Sequence, residues 1–405
     1  MEQLIITQLI ESGGYLRYFA TLPLFFIGIL VSTMLTPIIG QAANALGVVN
    51  ETKKTHRNSL NKFENINRRI NPNTVPLLGG LATMIPLIAA IPIFFGFTDV
   101  TTPIFIALSI LVIGGIFDDI FNLPAVTQFG IQIFAASIIA ASVINIDSIN
   151  LPFLRELDMQ QLSYAGEFMN IAYDINLPGD LILITWLLVL TNAIKWVGGV
   201  DALLESTTLI SVVAILVLGF RVESMIVIVL ASLFAGNLSG FLFFNFPPAK
   251  IFTASSGKSA FGFVLGILAI LADAKVTSTL AILLVPLVDF TVVILKRAFN
   301  SSPQNFRDFI SIPVKVMRGA DTNHLHHKLL QNGFSQRDVL RIEVVISLLA
   351  ATLGLAIAGA YRTGIVMSAI AIAISVIIWL HLRADIYQFR KSQQSESTPE
   401  QKYSY

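Results

Sequence analysis

Nineteen consecutive residues at 22–40, LPLFFIGILVSTMLTPIIG, carry no charged side chain. A helix of about 20 such residues crosses the hydrocarbon core of a bilayer. No water there can satisfy a backbone N–H or C=O, so the segment has to be helical. The pattern recurs along the chain. Apolar stretches stand at 18–40, 76–96, 102–117, 127–147, 178–194, 201–220, 222–244, 258–273, 277–296, 342–361 and 364–382. The first is too long for a signal-peptide core and lacks a basic leader, which makes it a retained span. Hydrophobic residues are 55% of the chain and charged residues 13%, against about 25% charged in soluble domains. Mean hydropathy is +0.75. The expected fold is all-α: a polytopic membrane protein, a bundle of about eleven transmembrane helices. One domain is expected over 1–390, with a disordered tail at 391–405, KSQQSESTPEQKYSY. Small-residue runs such as AGNLSG (235–240) suit close helix packing.

The 26 Lys and Arg set an orientation. Lys and Arg concentrate in cytoplasmic loops of membrane proteins. Only Arg17, Arg155, Arg221, Lys275 and Arg362 fall in the N-terminal tail and the even-numbered loops. The odd-numbered loops and the C-terminal tail are therefore expected in the cytoplasm and the N-terminus outside, in the plasma membrane. The longest outer segment, 148–177, is expected to hold a short hairpin or a surface helix. Zero cysteines exclude disulfides, thiol nucleophiles and cysteine-ligated metals. A net charge of +1 points to no strongly charged partner, and no nucleic acid is expected.

Polar groups recur at span ends, where they are costly unless they serve a ligand or a partner. In GGIFDDIFNL (114–123), Asp118 and Asp119 end the third span. They are read as ligands for Mg²⁺ on a phosphate, as a catalytic base, or as a plain span terminus. TNAIKWVGGVDALLE (191–205) crowds Asn192, Lys195 and Asp201 into a short turn whose glycines allow backbone to approach a ligand; a tight interhelical turn reads equally well. In NFPPAKIFTASSGKSAFGFVLG (245–266), Ser255, Ser256, Gly257 and Lys258 at a helix start form an anion nest or an ordinary cap with a snorkelling lysine. Asp289 lies inside a span and needs a partner or a cavity. Three of the five histidines, His324, His326 and His327, fall in DTNHLHHKLL (321–330). They suit a phosphate clamp better than a metal site, since their spacing is not i, i+4; a solvated loop is the third reading. All four motifs share the expected cytoplasmic face.

The order of these motifs resembles the polyprenyl-phosphate N-acetylhexosamine-1-phosphate transferases. The resemblance covers about residues 45–340 and includes VPLLGGLA (75–82), DDIFNL, TNAIKWVGGVDALLE, NFPPAKIF, GFVLG, PLVDFTVVILKR and HLHHKLL. It implies a membrane enzyme that moves a sugar-1-phosphate from a UDP-N-acetylhexosamine to a polyprenyl phosphate for the cell envelope, with Mg²⁺. It implies Asp118 and Asp119 as catalytic residues, and Asn192, Lys195, Asp201, Lys258, His324, His326 and His327 as substrate-binding residues. A homodimer and the identity of any metal ligand stay open. The chain departs from the family pattern at several places. Asn50 and Thr52 stand for an Asp-x-Pro. Gln128 stands for a lysine. Lys195, Gly198 and Ala202 replace Asn, Asp and Gly, and Ser255 stands where the family has its Mg²⁺-ligating aspartate. The site thus loses carboxylates and gains two ammonium groups. Three functions follow: an active transferase with altered metal use, a pseudoenzyme that still binds lipid phosphate or nucleotide-sugar, and a lipid-binding or transport protein.

Overall fold

The computed structural model describes residues 15–50, 74–146, 148–149, 157–159, 161–168, 171–273, 276–300 and 324–359. The expected span at 364–382, the tail at 391–405 and Thr52 lie outside these residues.

The chain runs α1 (Tyr15–Ala45), β1 (Val49–Asn50), β2 (Val75–Pro76), α2 (Leu81–Phe95), α3 (Thr101–Phe121), α4 (Ala125–Ala140), β3 (Ser148–Ile149) and β4 (Leu157–Asp158). It continues with β5 (Leu162–Phe168), β6 (Ile171–Leu177), α5 (Gly179–Val197), α6 (Leu203–Arg221), α7 (Met225–Asn245) and α8 (Ser255–Leu271). The last described elements are α9 (Val276–Ile282), α10 (Leu284–Asn300), α11 (Leu325–Gln331) and α12 (Gln336–Gly359). The bundle is all-α in its membrane part. Among the described residues six helices are long and apolar enough to cross a membrane: Thr21–Ala45 of α1, α3, α5, α6, α7 and Gln336–Ala358 of α12. The apolar helices α2, α4 and α8 are shorter. The stretch expected as one span at 277–296 is two helices joined at Leu283. Pro286 has no N–H and its ring crowds the carbonyl four residues back, which favours a break there.

α7 is the hub. It is apolar nearly all round and most of its residues are buried, as a helix enclosed by others should be. Its small residues set the contact with α1. A Cβ added at Gly236 would stand 2.1 Å from the Phe25 carbonyl oxygen, and one at Gly240 2.5 Å from that of Ile29. The run AGNLSG therefore packs backbone against backbone, as expected.

The 148–177 segment contains a hairpin. β5 and β6 pair antiparallel from Leu162↔Leu177 to Phe168↔Ile171. It leads directly into α5, whose 19 residues rise about 28 Å to the opposite end of the bundle. That opposite end collects the ends of α3, α5 and α7 and the starts of α4, α6 and α8.

Candidate functional site

The starts of α2 and α8 are docked before any side chain reaches the site. Gly79 N–H donates to Phe252 O and Gly80 N–H to Thr253 O, both at 2.9 Å. A Cβ at Gly80 would lie 2.4 Å from Gly257 N, and one at Gly115 2.5 Å from Ser255 O. The glycines of VPLLGGLA and GGIFDD thus let three backbones meet. Asp119 then reaches from α3 to the first turn of α8. Its two oxygens accept the N–H groups of Ser255 at 2.7 Å and Ser256 at 3.0 Å. These donors have no intrahelical partner at a helix start. Of the two readings of 255–258, nest or cap, the N–H groups of Ser255 and Ser256 hold the protein's own carboxylate, while those of Gly257 and Lys258 donate to Ala254 O as in an ordinary helix start.

Asp118, next along α3, faces the other way. Its Oδ1 accepts Gln128 Nε2 at 2.8 Å, and Gln128 Nε2 also donates to Leu123 O at 2.9 Å. Gln128 Oε1 in turn accepts Lys195 Nζ. Gln128 is therefore a relay between a carboxylate and an ammonium group. This chain lines a cleft of about 250 Å³, open mouth included, which Gln132, Ser255 and Ser259 also line. Asn192 sits beside it, donating to Gln132 Oε1 at 2.7 Å and Leu188 O at 2.8 Å.

The turn 198–199 is the partition of the site. On one side Lys258 Nζ donates to Gly198 O at 2.8 Å. A Cβ at Gly198 would stand 2.8 Å from that Nζ, so the ammonium fills the space where a side chain at 198 would begin. On the other side a Cβ at Gly199 would stand 2.2 Å from His326 Nε2. Behind the turn, Asp201 Oδ2 accepts Ala249 N–H at 2.9 Å, and Asn245 accepts Ala202 N–H at 2.8 Å while donating to Ile251 O at 2.8 Å. Burial pushes the Asp201 carboxyl up, partly offset by the Ala249 N–H.

The histidines are organised by Asp289. Its Oδ2 meets His324 Nδ1 at 2.6 Å and its Oδ1 accepts Leu325 N–H at 2.8 Å. His324 packs edge-on against Trp196, with ring centroids 5.5 Å apart, and stacks with His326, planes 9° apart. His326 is buried, and its Nε2 has no hydrogen-bond partner among the described residues. Burial, reinforced by His327, holds the His326 imidazole well below its usual range.

The acidic, lysine, asparagine and histidine residues singled out from the sequence are thus at this end of the bundle, but not around one cavity. Asp118 and Lys195 are on the cleft wall, with Asn192 just behind it. Asp119 and Lys258 flank it through α8, and Asp201, His324, His326 and His327 lie beyond the 198–199 turn. Two further groups belong to the site and were not singled out. Gln132 holds Asn192, and its place four residues after Gln128 on α4 was the available signal. Glu205, buried and bonded to Thr253 Oγ1, closes the motif 191–205.

The donor set does not suit Mg²⁺. That ion takes oxygen ligands in octahedral geometry. Both oxygens of Asp119 and one of Asp118 are already engaged, two ammonium groups stand close by, and position 255 offers a hydroxyl. Among the described residues no three His, Asp or Glu side chains converge to hold a metal.

Comparison with known proteins adds to this geometry. Residues 101–273 match the family described as glycosyl transferase family 4. The chain is 26% identical over 366 residues to the probable undecaprenyl-phosphate N-acetylglucosaminyl 1-phosphate transferase of Bacillus subtilis (strain 168), covering 88% of this chain and 86% of that one. It is 24% identical to the phospho-N-acetylmuramoyl-pentapeptide-transferase of Clostridium beijerinckii, covering 61% and 71%. It is 25% identical to the decaprenyl-phosphate N-acetylglucosaminephosphotransferase of Mycobacterium leprae, covering 67% and 71%.

Proposed function

This chain belongs to glycosyl transferase family 4, and we propose that it binds a polyprenyl phosphate and a UDP-N-acetylhexosamine at the cytoplasmic face of the plasma membrane, and transfers the hexosamine-1-phosphate in cell-envelope polysaccharide synthesis. The supporting observation is the Asp118–Gln128–Lys195 chain on the cleft wall, which sets a base and a cation side by side. A lipid-phosphate oxygen attacks the β-phosphorus of the nucleotide-sugar. The phosphorus–oxygen bond to UMP breaks, and UMP leaves with its bridging oxygen. Asp118 takes the proton of any lipid phosphate still singly ionised. Lys195 faces the charge on the phosphoryl oxygens, and Lys258 adds a second positive charge from behind Gly198. Asp119 acts as a positioning residue, since its oxygens hold the start of α8. Asp201 likewise positions the 245–250 loop. No step is routed through Mg²⁺.

A second reading has its own support. Ser255 lacks a carboxylate and Asp119 is committed to backbone, so the site also suits a pseudoenzyme that binds the same ligands without transfer. One experiment separates the two. Purified protein is given undecaprenyl phosphate, UDP-N-acetylglucosamine and labelled UMP, with and without Mg²⁺. Transfer predicts label in the nucleotide-sugar, lost by about 10²–10⁴-fold in Asp118→Asn. No exchange under either condition, with nucleotide-sugar binding intact, rejects transfer in favour of binding alone.

A further inference from the structure

The hairpin end of the bundle holds a polar cluster that the proposed reaction does not use. Asp174 and Asn176 are two residues apart on β6 and so share one strand face. Asn145, in the turn after α4, donates through Nδ2 to Asp174 Oδ2 at 3.0 Å. Asp180, in the first turn of α5, accepts the Asn176 N–H through Oδ2 at 2.9 Å. Asp174 is near enough for its charge to act on Asp180. These bonds leave one oxygen of each residue over, and Asn176 Nδ2, a donor that takes no part in cation binding, is left over as well. Asn145 Oδ1, Asp174 Oδ1, Asn176 Oδ1 and Asp180 Oδ1 are all buried, and none has a hydrogen-bond partner among the described residues. Asn176 and Asp180 are only 1% and 6% exposed.

Buried acceptors are costly without a donor, and a second carboxylate nearby raises that cost. Four oxygens from two carboxylates and two carboxamides suit a hard cation. Ca²⁺ accepts neutral amide oxygens and irregular geometry, whereas Mg²⁺ demands a near-ideal octahedron. We propose that Asn145, Asp174, Asn176 and Asp180 form a Ca²⁺ site that ties the β5–β6 hairpin and the end of α4 to the start of α5. Asp180 and Lys195 are 15 residues apart on one helix, so the site stands about 22 Å from the candidate active site. Water and backbone carbonyls complete the coordination. Only two carboxylates contribute, and the positive end of α5 opposes a cation. Affinity is therefore expected at the weak end, with a dissociation constant on the order of 10⁻⁴–10⁻³ M, the range of extracellular Ca²⁺ modules.

The test is equilibrium dialysis of full-length protein in detergent against ⁴⁵Ca²⁺, read together with the thermal unfolding midpoint. One Ca²⁺ per chain is expected, raising the midpoint. Asp174→Asn and Asn145→Ala should each weaken binding at least tenfold, with calcium-free midpoints close to the parent's. If one variant does not fold, the other carries the test. Asp118→Asn, at the far end of α5, should leave Ca²⁺ binding unchanged. The proposal is overturned if no Ca²⁺ is retained at about 10 mM, well above that affinity range. It is also overturned if binding survives the folded hairpin-end variants, or disappears in Asp118→Asn.

Discussion

Two carboxylates do related jobs at the candidate site with different consequences. Asp119 reaches from α3 to the start of α8, and Asp289 reaches from α10 to the start of α11. Asp119 gives both oxygens to backbone N–H groups at the start of α8. Asp289 gives one oxygen to backbone and the other to a ring nitrogen of His324. It therefore sets an imidazole, which stacks on His326, whose free Nε2 faces Gly199. The first carboxylate closes its surroundings, and the second organises a buried histidine pair in which His326 Nε2 has no hydrogen-bond partner among the described residues. The difference lies in the second partner, another backbone N–H for Asp119 and the His324 ring for Asp289.

The comparison breaks most visibly if each carboxylate is removed. Asp289→Ala strands two buried polar groups and should cost about 2–4 kcal/mol, since each unsatisfied buried donor costs about 1–3. Asp119→Ala strands two N–H groups beside an open cleft, which water can reach, and should cost about 1–2 kcal/mol, as for a lost helix cap. Thermal unfolding of the two variants in detergent checks the order. A larger loss for Asp119→Ala would reverse the comparison.

The partition turn gives a smaller contrast. Gly199→Ala pushes a Cβ into the buried ring of His326 and should cost about 1–3 kcal/mol by overpacking. Gly198→Ala meets only the tip of Lys258, a flexible chain, and should cost less than about 1 kcal/mol. Equal midpoints would show that the His326 ring is not held where the structure puts it.

The smallest effect is on pH. Burial holds His326 below the usual imidazole value of about 6.5. The unfolded chain then takes up this proton before the folded one does. Stability is therefore full above about pH 6.5 and falls as pH drops below it, by at most about 1.4 kcal/mol per pH unit. His326→Gln should flatten that slope in midpoints measured from about pH 7.5 to about 5.5. An unchanged slope would mean that His326 does not carry it.

Much of this was legible in the chain. The apolar stretches named the helices because a bilayer admits almost nothing else, and AGNLSG named the α1–α7 seam because only small residues let backbones touch. The polar motifs were legible as sharing one end of the bundle because charge is costly at those depths, but their division by the 198–199 turn was not. What was hidden is which groups spend their hydrogen bonds on each other. Spacing does not say that Gln128 bridges Asp118 to Lys195, that Asp119 serves α8, or that Lys258 fills the space beside Gly198. Those pairings join residues far apart in sequence, and only the packed helices decide them. The break at Leu283 had a local sign in Pro286, but the apolar run around it reads as continuous.

In the proposed reaction ammonium groups, in place of a metal ion, hold the phosphates in this cleft. This is tested most directly by UDP-N-acetylglucosamine binding to purified protein in chelator, across a range of salt concentrations, for the parent and Lys195→Met. The account predicts that binding survives chelation and weakens as salt rises, because ion pairs near water are screened. It also predicts a loss of about 10–100-fold in Lys195→Met, the worth of a charge-assisted hydrogen bond of about 1.5–3 kcal/mol. Binding that appears only with Mg²⁺, vanishes in chelator and ignores Lys195 would contradict it.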